Sequence, residues 1–339
     1  MKSVNYKSPY RVDLCAGADL RQVAIPFEYY RPCAFNFTID KYVHVEVSEY
    51  TPEYILINGH EYHISNADMT NKYDKLAVYA CMALNISGIS INTHSDLANC
   101  SGLGGSSATM VALISALYRY RTEVLHDLGA VDEYTIMEEA HHIENSIPGM
   151  NTGLQDQGAA IYGGVNLWTI HYTGVDYPSE CGYYIPDHTT DVIGDMCSRK
   201  APLDPNVHKF LLDRSILVYT NKEHDSSIEN DSQISAYLNP SSRSTWLRTF
   251  ELSRLFYDSA ADMDSGMCIK YMNAMLDIRR SRLTITADMA TIIATSSLHE
   301  CGVSICGAGG GGYMWLFSDD ISSVAKLFED EYEVIYLGG

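Results

Sequence analysis

The chain has 339 residues, of which 46% are apolar, and 43 acidic residues against 23 lysines and arginines give a formal net charge of -20. This length and composition suffice for two modest hydrophobic cores and argue against a disordered or fibrous protein. Basic residues are not concentrated in any stretch, which argues against binding to nucleic acids or anionic membranes. A polyanionic ligand would have to be held locally, by backbone amides, a metal ion or a few basic side chains.

The N-terminus carries no apolar run of signal-peptide length, and no segment approaches the roughly 20 apolar residues that span a bilayer. We therefore expect a cytoplasmic protein. Nine cysteines lie at scattered positions without a CxxC pair. This pattern predicts small buried thiols rather than disulfides or a zinc site.

The predicted elements of the first half begin as a sheet and continue as alternating helices and strands. β-Branched and aromatic residues predict strands over 11–14 and 34–47. Apolar residues at helical spacing then predict a helix over 72–86, a second that carries Met110 to Leu117, and a third that Asp132 can cap. Further strands are predicted at 89–91 and 165–172, and residues 149–164 are predicted to form polar turns.

The character of the chain changes near residue 185, where an acidic, loosely patterned stretch begins. We place the domain boundary there, with domains at 1–185 and 186–339. The second half is predicted to contain strands at 215–220, 303–306 and 313–317, helices at 247–256 and 287–298, and a glycine-rich turn at 307–312. This mixed order predicts an α+β fold in both domains.

One glycine-rich segment opens the second predicted helix, and it consists of Ser101, Gly102, Leu103, Gly104, Gly105, Ser106, Ser107 and Ala108. Glycines let backbone amides approach a phosphate closely, a helix N-terminus adds unpaired N–H groups and a favourable dipole, and serines add hydroxyls. The segment is neither a Walker loop nor a GxGxxG fingerprint. It predicts an anion-binding loop, with an ordinary serine-capped loop as the alternative.

This segment resembles the central phosphate-binding loop of the GHMP kinases, a superfamily that includes galactokinase, homoserine kinase and mevalonate kinase. The string CGAGGGGYMWLF resembles their last glycine motif, and SPYRVDLCAGADL resembles their first. Within the superfamily, FNFTIDKY and GLQDQGAAIYGGVN are most similar to segments of the heptose 7-phosphate kinases. The resemblance implies a two-domain α+β GHMP kinase fold with the active site in the cleft between the domains.

The resemblance also implies ATP and Mg²⁺ as cofactors and a sugar or sugar phosphate as acceptor, phosphorylated at an anomeric hydroxyl. It implies that Asp156 is the catalytic base, that Arg11 supports the transferred phosphoryl group, and that Ser107 and Glu144 hold Mg²⁺. Gly309 and Gly310 would join residues 101–108 around the nucleotide, and the acceptor would contact Gly17, Asp19, Gly307 and Ala308.

Considered without the resemblance, these side chains have ordinary interpretations. Asp156, on a polar turn, would be a solvated surface residue or a turn cap, and Arg11 would be half of an edge ion pair. Glu144 follows Ala140 by one helical turn, which places it at the edge of the buried face, and its ordinary role would be that of a helix-surface acid with a solvent partner. Departures from the family pattern concern the acceptor side: the first motif is one residue shorter here, and Ser304 stands where a lysine is common in the heptose kinases.

Other assignments stay open. The arginines at 279, 280 and 282 could bind a phosphate on the substrate, although such a cluster is more often a solvated face. The acceptor could instead be galactose, fucose or an isoprenoid intermediate. A non-catalytic nucleotide and sugar sensor on the same fold, an interaction protein, and a homodimer are further alternatives.

Overall fold

The computed structural model describes residues 2–64, 74–97, 101–171, 190–193, 197–202, 204–222, 234 and 242–338. The predicted domain boundary at 185/186 lies outside these residues, as do Cys100 and Cys181. The seven cysteines within them are all buried free thiols, as predicted. In the described part of the chain, no helix is long and apolar enough to cross a membrane.

The described residues form a mixture of helices and strands, which confirms the predicted α+β class. The strands are β1 (Ser3–Asp13), β2 (Cys33–Glu49), β3 (Tyr54–Ile57), β4 (His60–His63), β5 (Ile89–Ser95), β6 (Val165–Ile170), β7 (Thr190–Ile193), β8 (Cys197–Lys200), β9 (Ser215–Tyr219), β10 (Gly302–Ile305), β11 (Tyr313–Phe317) and β12 (Val334–Tyr336). The α-helices are α1 (Arg21–Ala24), α2 (Lys75–Ala83), α3 (Gly105–Tyr120), α4 (Glu133–Ser146), α5 (Gln155–Tyr162), α6 (Asn206–Asp213), α7 (Arg243–Ala261), α8 (Ser265–Arg280), α9 (Ala287–Ser296) and α10 (Ile321–Ala325).

The chain forms two compact units, and each is assembled from three segments. Unit 1 comprises Met1–Tyr10, Asp40–Asn99 and Gly104–Gly163, and unit 2 comprises Arg11–Ile39, Cys100–Leu103 and Gly164–Gly339. Strands β1 and β2 each contribute residues to both units.

Unit 1 combines a small sheet with helices α2 to α5. The second half of β2 pairs antiparallel with β5, β3 lies parallel to β5, and β3 and β4 form a hairpin. Helix α3 contacts α2, α4 and α5. Its predicted apolar positions Met110, Leu113, Ile114 and Leu117 are all fully buried. Since most of its other residues are buried as well, α3 is the central helix of this unit.

Unit 2 contains two sheets. In one, the first half of β2 pairs antiparallel with β6, followed by β8 and β7. The other is antiparallel in the order β10-β11-β9-β12. Aromatic rings fill the space beside these strands: Phe35 contacts Phe256 of α7 with ring centroids 4.7 Å apart, and Phe37 contacts Trp315 of β11 at 5.1 Å. Large aromatic side chains buried in this way stabilise sheet and helix against each other.

The observed helices and strands differ from the predicted ones in two respects. The prediction of polar turns over 149–164 is wrong in its second half, where α5 forms. The five glycines at 149, 153, 158, 163 and 164 suggested turns, but Gly158 lies within the helix. Helices α1, α6, α8 and α10 and strands β3, β4, β7, β8 and β12 were not predicted. The other predicted helices and strands are present; most of their ends shift by a few residues, and β1 begins at Ser3 rather than at residue 11.

Candidate functional site

The first part of the site is the N-terminus of α3 in unit 1. Gly104 precedes the helix in a left-handed conformation with φ of 75°, which a glycine adopts without steric cost. Among the described residues, no side chain caps this end of the helix; at α4, by contrast, the Asp132 carboxylate accepts a hydrogen bond from the Thr135 N–H at 2.9 Å. The N–H groups of the first turn of α3 therefore remain available to an anion, which the helix dipole also favours.

The residues just before this helix belong to unit 2, and their carbonyl groups are held there. Ser101 O accepts a hydrogen bond from the Tyr313 N–H at 2.9 Å, and Leu103 O accepts one from the Arg11 N–H at 3.1 Å. Between them, Gly102 O accepts from Arg11 Nη1 at 2.8 Å. Three successive carbonyls are thus fixed, two of them by Arg11. The proposed contact of Arg11 with the transferred phosphoryl group stays a prediction.

The most distinctive polar cluster of unit 1 surrounds Glu144. Its Oε1 accepts a hydrogen bond from Ser106 Oγ at 2.6 Å, and its Oε2 accepts from Ser107 Oγ at 2.9 Å and from Gln157 Nε2 at 2.7 Å. Glu144 is fully buried, so the prediction that it lies at the edge of the buried face is wrong. The reason is that α3 and α5 both contact α4 and cover this side chain. Ser107 and Glu144, the predicted metal ligands, are therefore in direct contact.

The pKa of the Glu144 carboxyl group is unusually high for a glutamate. Its pKa is raised to about 7, chiefly by burial; the nearby Asp156 charge also raises it, while the hydrogen bonds from Ser106, Ser107 and Gln157 act in the opposite direction. Burial dominates because a charged carboxylate loses its hydration in this position. The group can therefore change its protonation state near neutral pH.

We expect Glu144→Gln to make the protein more stable than the wild type at pH 8 in the absence of divalent cations. The pKa of Glu144 is raised from 4.5 to about 7 in the folded protein, so its stabilising contribution is complete below pH 4.5 and is lost as the pH rises through 7. By linkage the difference at pH 8 is about 3 kcal/mol. Urea unfolding at pH 5 and pH 8 measures it.

The matched control for that prediction is Glu138→Gln, because Glu138 is a half-buried acid on the same helix. Its effect should stay within about 0.5 kcal/mol at both pH values. Equal stability of wild type and Glu144→Gln at both pH values would contradict the raised pKa.

Asp156, the predicted base, is located in the first turn of α5 and is half-buried. The prediction that it lies on a polar turn is wrong, since residues 155–162 are helical. It is followed directly by Gln157, which contacts Glu144 and Ser107, and its own charge influences the pKa of Glu144. The structure therefore brings Asp156, Glu144 and Ser107 together in unit 1.

The predicted acceptor residues are found in unit 2, and all of them are buried. Asp19 is 2% exposed and Ala308 is 4% exposed. Gly17 and Gly307 have φ values of 85° and 64°. The predicted nucleotide contacts Gly309 and Gly310 lie in the same turn as Gly307, with φ values of 97° and 78°. The structure brings Gly307 next to Gly102, so the two glycine-rich segments meet within unit 2.

The three arginines at the end of α8 do not form one face. Arg279 is buried, Arg280 is exposed, and the Arg282 guanidinium lies over the Trp246 ring, 4.0 Å from its centroid. A shared phosphate site made of all three is therefore excluded for this arrangement.

Sequence reasoning missed the contacts that three residues make with predicted site residues: Asp13, Gln157 and Arg279. Gln157 stands beside Asp156 in the QDQ string, so the string itself was the available signal. Asp13 and Arg279 hold the turn at Gly307.

Comparison with known proteins gives a match to one domain and a shared fold. Residues 71–164 match the profile of the GHMP kinases N terminal domain. A curated relative, the D-glycero-alpha-D-manno-heptose 7-phosphate kinase of Campylobacter jejuni, is 26% identical over 179 residues, which are 49% of this chain and 50% of that protein. The match thus spans about half the length of this relative.

Solved structures resemble the whole chain. A D-glycero-D-manno-heptose 1-phosphate kinase from Bacteroides thetaiotaomicron has a TM-score of 0.70 at 15% identity, covering 99% of this chain and 95% of that one. Streptococcus pneumoniae phosphomevalonate kinase, in complex with phosphomevalonate and AMPPNP, has a TM-score of 0.70 at 14% identity, covering 99% of both chains. Residues 71–164 thus match the GHMP kinases N terminal domain, and the chain shares its fold with these solved kinase structures.

Proposed function

We propose that this protein is an ATP-dependent kinase that phosphorylates a hydroxyl group of a sugar or sugar phosphate. The phosphorylated group would be the anomeric hydroxyl of a substrate similar to heptose 7-phosphate. The observation that carries it is the uncapped N-terminus of α3, which places Ser106 and Ser107 directly beside the buried carboxylate of Glu144. Phosphoryl transfer requires this combination of phosphate-binding amides and oxygen ligands.

Mg²⁺ fits the residues present at Ser107 and Glu144. Ser107 Oγ and Glu144 Oε2 lie 2.9 Å apart, so a hydroxyl and a carboxylate, both oxygen donors of the kind that Mg²⁺ prefers, are adjacent and would hold the ion. In the part of the chain that the structure describes, no three His, Cys, Asp or Glu side chains converge on one point. One carboxylate and one hydroxyl suit Mg²⁺, which retains waters and takes further oxygens from substrate phosphates. When bound, the ion would neutralise charge on the transferred phosphoryl group.

The residues of the chain would then perform the remaining steps. The amides at the start of α3 would bind and orient the phosphates. Asp156 would accept the proton of the acceptor hydroxyl, as its half-buried carboxylate close to Glu144 allows. Asp19 would accept hydrogen bonds from acceptor hydroxyls, a role that suits a carboxylate because it offers two oxygens.

The acceptor class rests on the relatives, whose names include heptose phosphate kinases. The buried cysteine thiols of the described residues support the cytoplasmic location, where thiols stay reduced.

We expect ADP release with ATP, Mg²⁺ and a sugar phosphate acceptor, in preference to free sugars and mevalonate. The test is a coupled assay over heptose and hexose phosphates, galactose, fucose and isoprenoid intermediates, followed by phosphorus NMR to locate the new phosphate. Turnover with mevalonate or galactose alone would show that the acceptor is not a sugar phosphate. Nucleotide binding without turnover on any acceptor would favour the sensor alternative, and a failure to bind nucleotide would remove the kinase proposal.

A further inference from the structure

A cluster of three charged side chains is buried in unit 2, where the two glycine-rich segments meet. Arg11 is 4% exposed, Asp13 is fully buried and Arg279 is 1% exposed. Arg11 Nη1 lies 3.5 Å from Asp13 Oδ1. The cluster contains two cations and one carboxylate, so its formal charge is positive in a chain whose net charge is -20.

Gly307, in the C-terminal glycine turn, is held by this cluster at both of its peptide groups. Its N–H donates to Asp13 Oδ1 at 3.0 Å, and its carbonyl accepts from Arg279 Nη2. Through Nη1, Arg279 also donates to the carbonyls of Ile305 and, at 3.3 Å, Leu14. The Arg279 guanidinium thus binds the carbonyl of Leu14, directly after β1, and the carbonyls of Ile305 and Gly307, at the start of the glycine turn.

The other glycine-rich segment touches the same place. A Cβ atom on Gly307 would lie 2.6 Å from Gly102 O and 2.8 Å from Gly102 Cα, so the two backbones are in direct contact. Gly102 O accepts from Arg11 Nη1 at 2.8 Å. Arg11 therefore fixes Gly102, Asp13 and Arg279 fix Gly307, and Arg11 contacts Asp13.

Burying these three charged groups lowers the stability of the folded protein, so the cluster is expected to have another role. Moving charges out of water costs several kcal/mol per ion, and a well-packed apolar cluster is often as stable or more stable. Among the described residues, Asp13 Oδ2 has no hydrogen-bond partner, which adds to the cost. A role in fixing the position of the two glycine-rich segments would account for the presence of such a cluster.

We propose that Asp13 and Arg279 are positioning residues that clamp Gly307 against Gly102, and thereby hold the two glycine-rich segments in the arrangement that binds the nucleotide phosphates. The inference rests on the proposed kinase function for its nucleotide part. The positive charge of the cluster would also offset locally the repulsion between a triphosphate and an acidic protein.

The test compares Arg279→Lys and Arg279→Met with Arg280→Met, because Arg280 is the exposed neighbour on the same helix. The first measurement is amide hydrogen exchange over residues 306–312 without nucleotide. The second is the affinity for AMPPNP with Mg²⁺ by calorimetry. We expect exchange to become at least about tenfold faster in both Arg279 variants and affinity to fall about tenfold in Arg279→Lys, since a lysine cannot reproduce the forked donor pattern.

A role limited to stability is tested with Ile292→Ala, which truncates a fully buried core residue of the same unit. This variant should lose thermal stability without losing AMPPNP affinity in the folded protein. If Arg279→Lys loses stability but binds AMPPNP as tightly as the wild type, the positioning role is overturned. Arg279→Lys decides the question if Arg279→Met does not fold.

The two proposals fail in different ways. Wild-type protein that binds no AMPPNP removes the kinase function and the nucleotide part of this inference. Unchanged exchange over 306–312 in Arg279→Lys removes the clamp itself, whether or not the wild type binds nucleotide.

Discussion

We expect Asp156→Asn to lower the rate of phosphoryl transfer by about 10²–10⁴-fold, the usual contribution of a positioned general base. An asparagine amide preserves the shape and can accept a hydrogen bond, but it cannot take up the proton of the acceptor hydroxyl. Steady-state kinetics with the acceptor found in the screen measure the loss. Nucleotide affinity at pH 8 should be unchanged, because Asp156 is not among the residues that would bind the phosphates.

A second readout follows from the proximity of Asp156 to Glu144. The Asp156 charge is one cause of the raised pKa of Glu144, so its removal should lower that pKa and improve binding of the Mg²⁺–nucleotide complex at pH 6. The matched control is Asp277→Asn, an exposed carboxylate on α8, which should change neither quantity. Full turnover in Asp156→Asn would contradict the assignment of the base.

We expect Gly307→Ala to separate the two glycine-rich segments and to weaken nucleotide binding by about 30-fold or more. Its φ of 64° is strained for alanine, and the new Cβ would lie 2.6 Å from the Gly102 carbonyl oxygen. Because the obstructing atoms belong to the backbone, no side-chain rotation relieves the clash. A left-handed residue costs about 1–2 kcal/mol, and overpacking adds about 1–3 kcal/mol.

Calorimetric titration with AMPPNP and urea unfolding would measure these effects. Gly129→Ala is the control, because a Cβ there meets no atom within 4 Å, and it should leave both quantities unchanged. Wild-type nucleotide affinity in the Gly307→Ala variant would show that the contact between Gly102 and Gly307 is not required for binding.

The features predicted best from the sequence depend on local interactions. Asp132 caps α4 as expected, and its carboxylate accepts from the Thr135 N–H. The apolar face of α3 and the glycine-rich segment before it were predicted from spacing and from glycine content. In these cases neighbouring residues determine the conformation, so a single segment of sequence contains the necessary information.

The errors concern groups whose surroundings come from distant parts of the chain. The spacing from Ala140 to Glu144 placed Glu144 at the edge of a buried face, but its burial depends on Ser107, 37 residues earlier, and on Gln157, 13 residues later. No periodicity within α4 reports these neighbours. The raised pKa of Glu144 was equally beyond the reach of the sequence, since burial is its main cause.

Arg279 is an intermediate case, because part of its signal was present in the sequence. It follows Cys268, Met272, Met275 and Leu276 at helical spacing, on the buried face of α8. A cation on an apolar face indicates a buried role rather than a solvated cluster. Its carbonyl partner at Leu14, however, is 265 residues away, and this distance explains why the position of Arg279 beside Gly307 could not be predicted.

Each unit is assembled from three separate segments of the chain, and this affects the order in which its contacts can form during synthesis. The residues from 11 to 39 are synthesised before the rest of unit 2, yet Asp13 binds Gly307, 294 positions later, and the Cys33 thiol donates to the Phe250 carbonyl, 217 positions later. Unit 2 therefore cannot form all of its contacts until residue 307 has been synthesised, and its first strands lack these partners until then. Truncated gene products that end before residue 300 would leave these strands without their partners and so be natural substrates for chaperones and proteases.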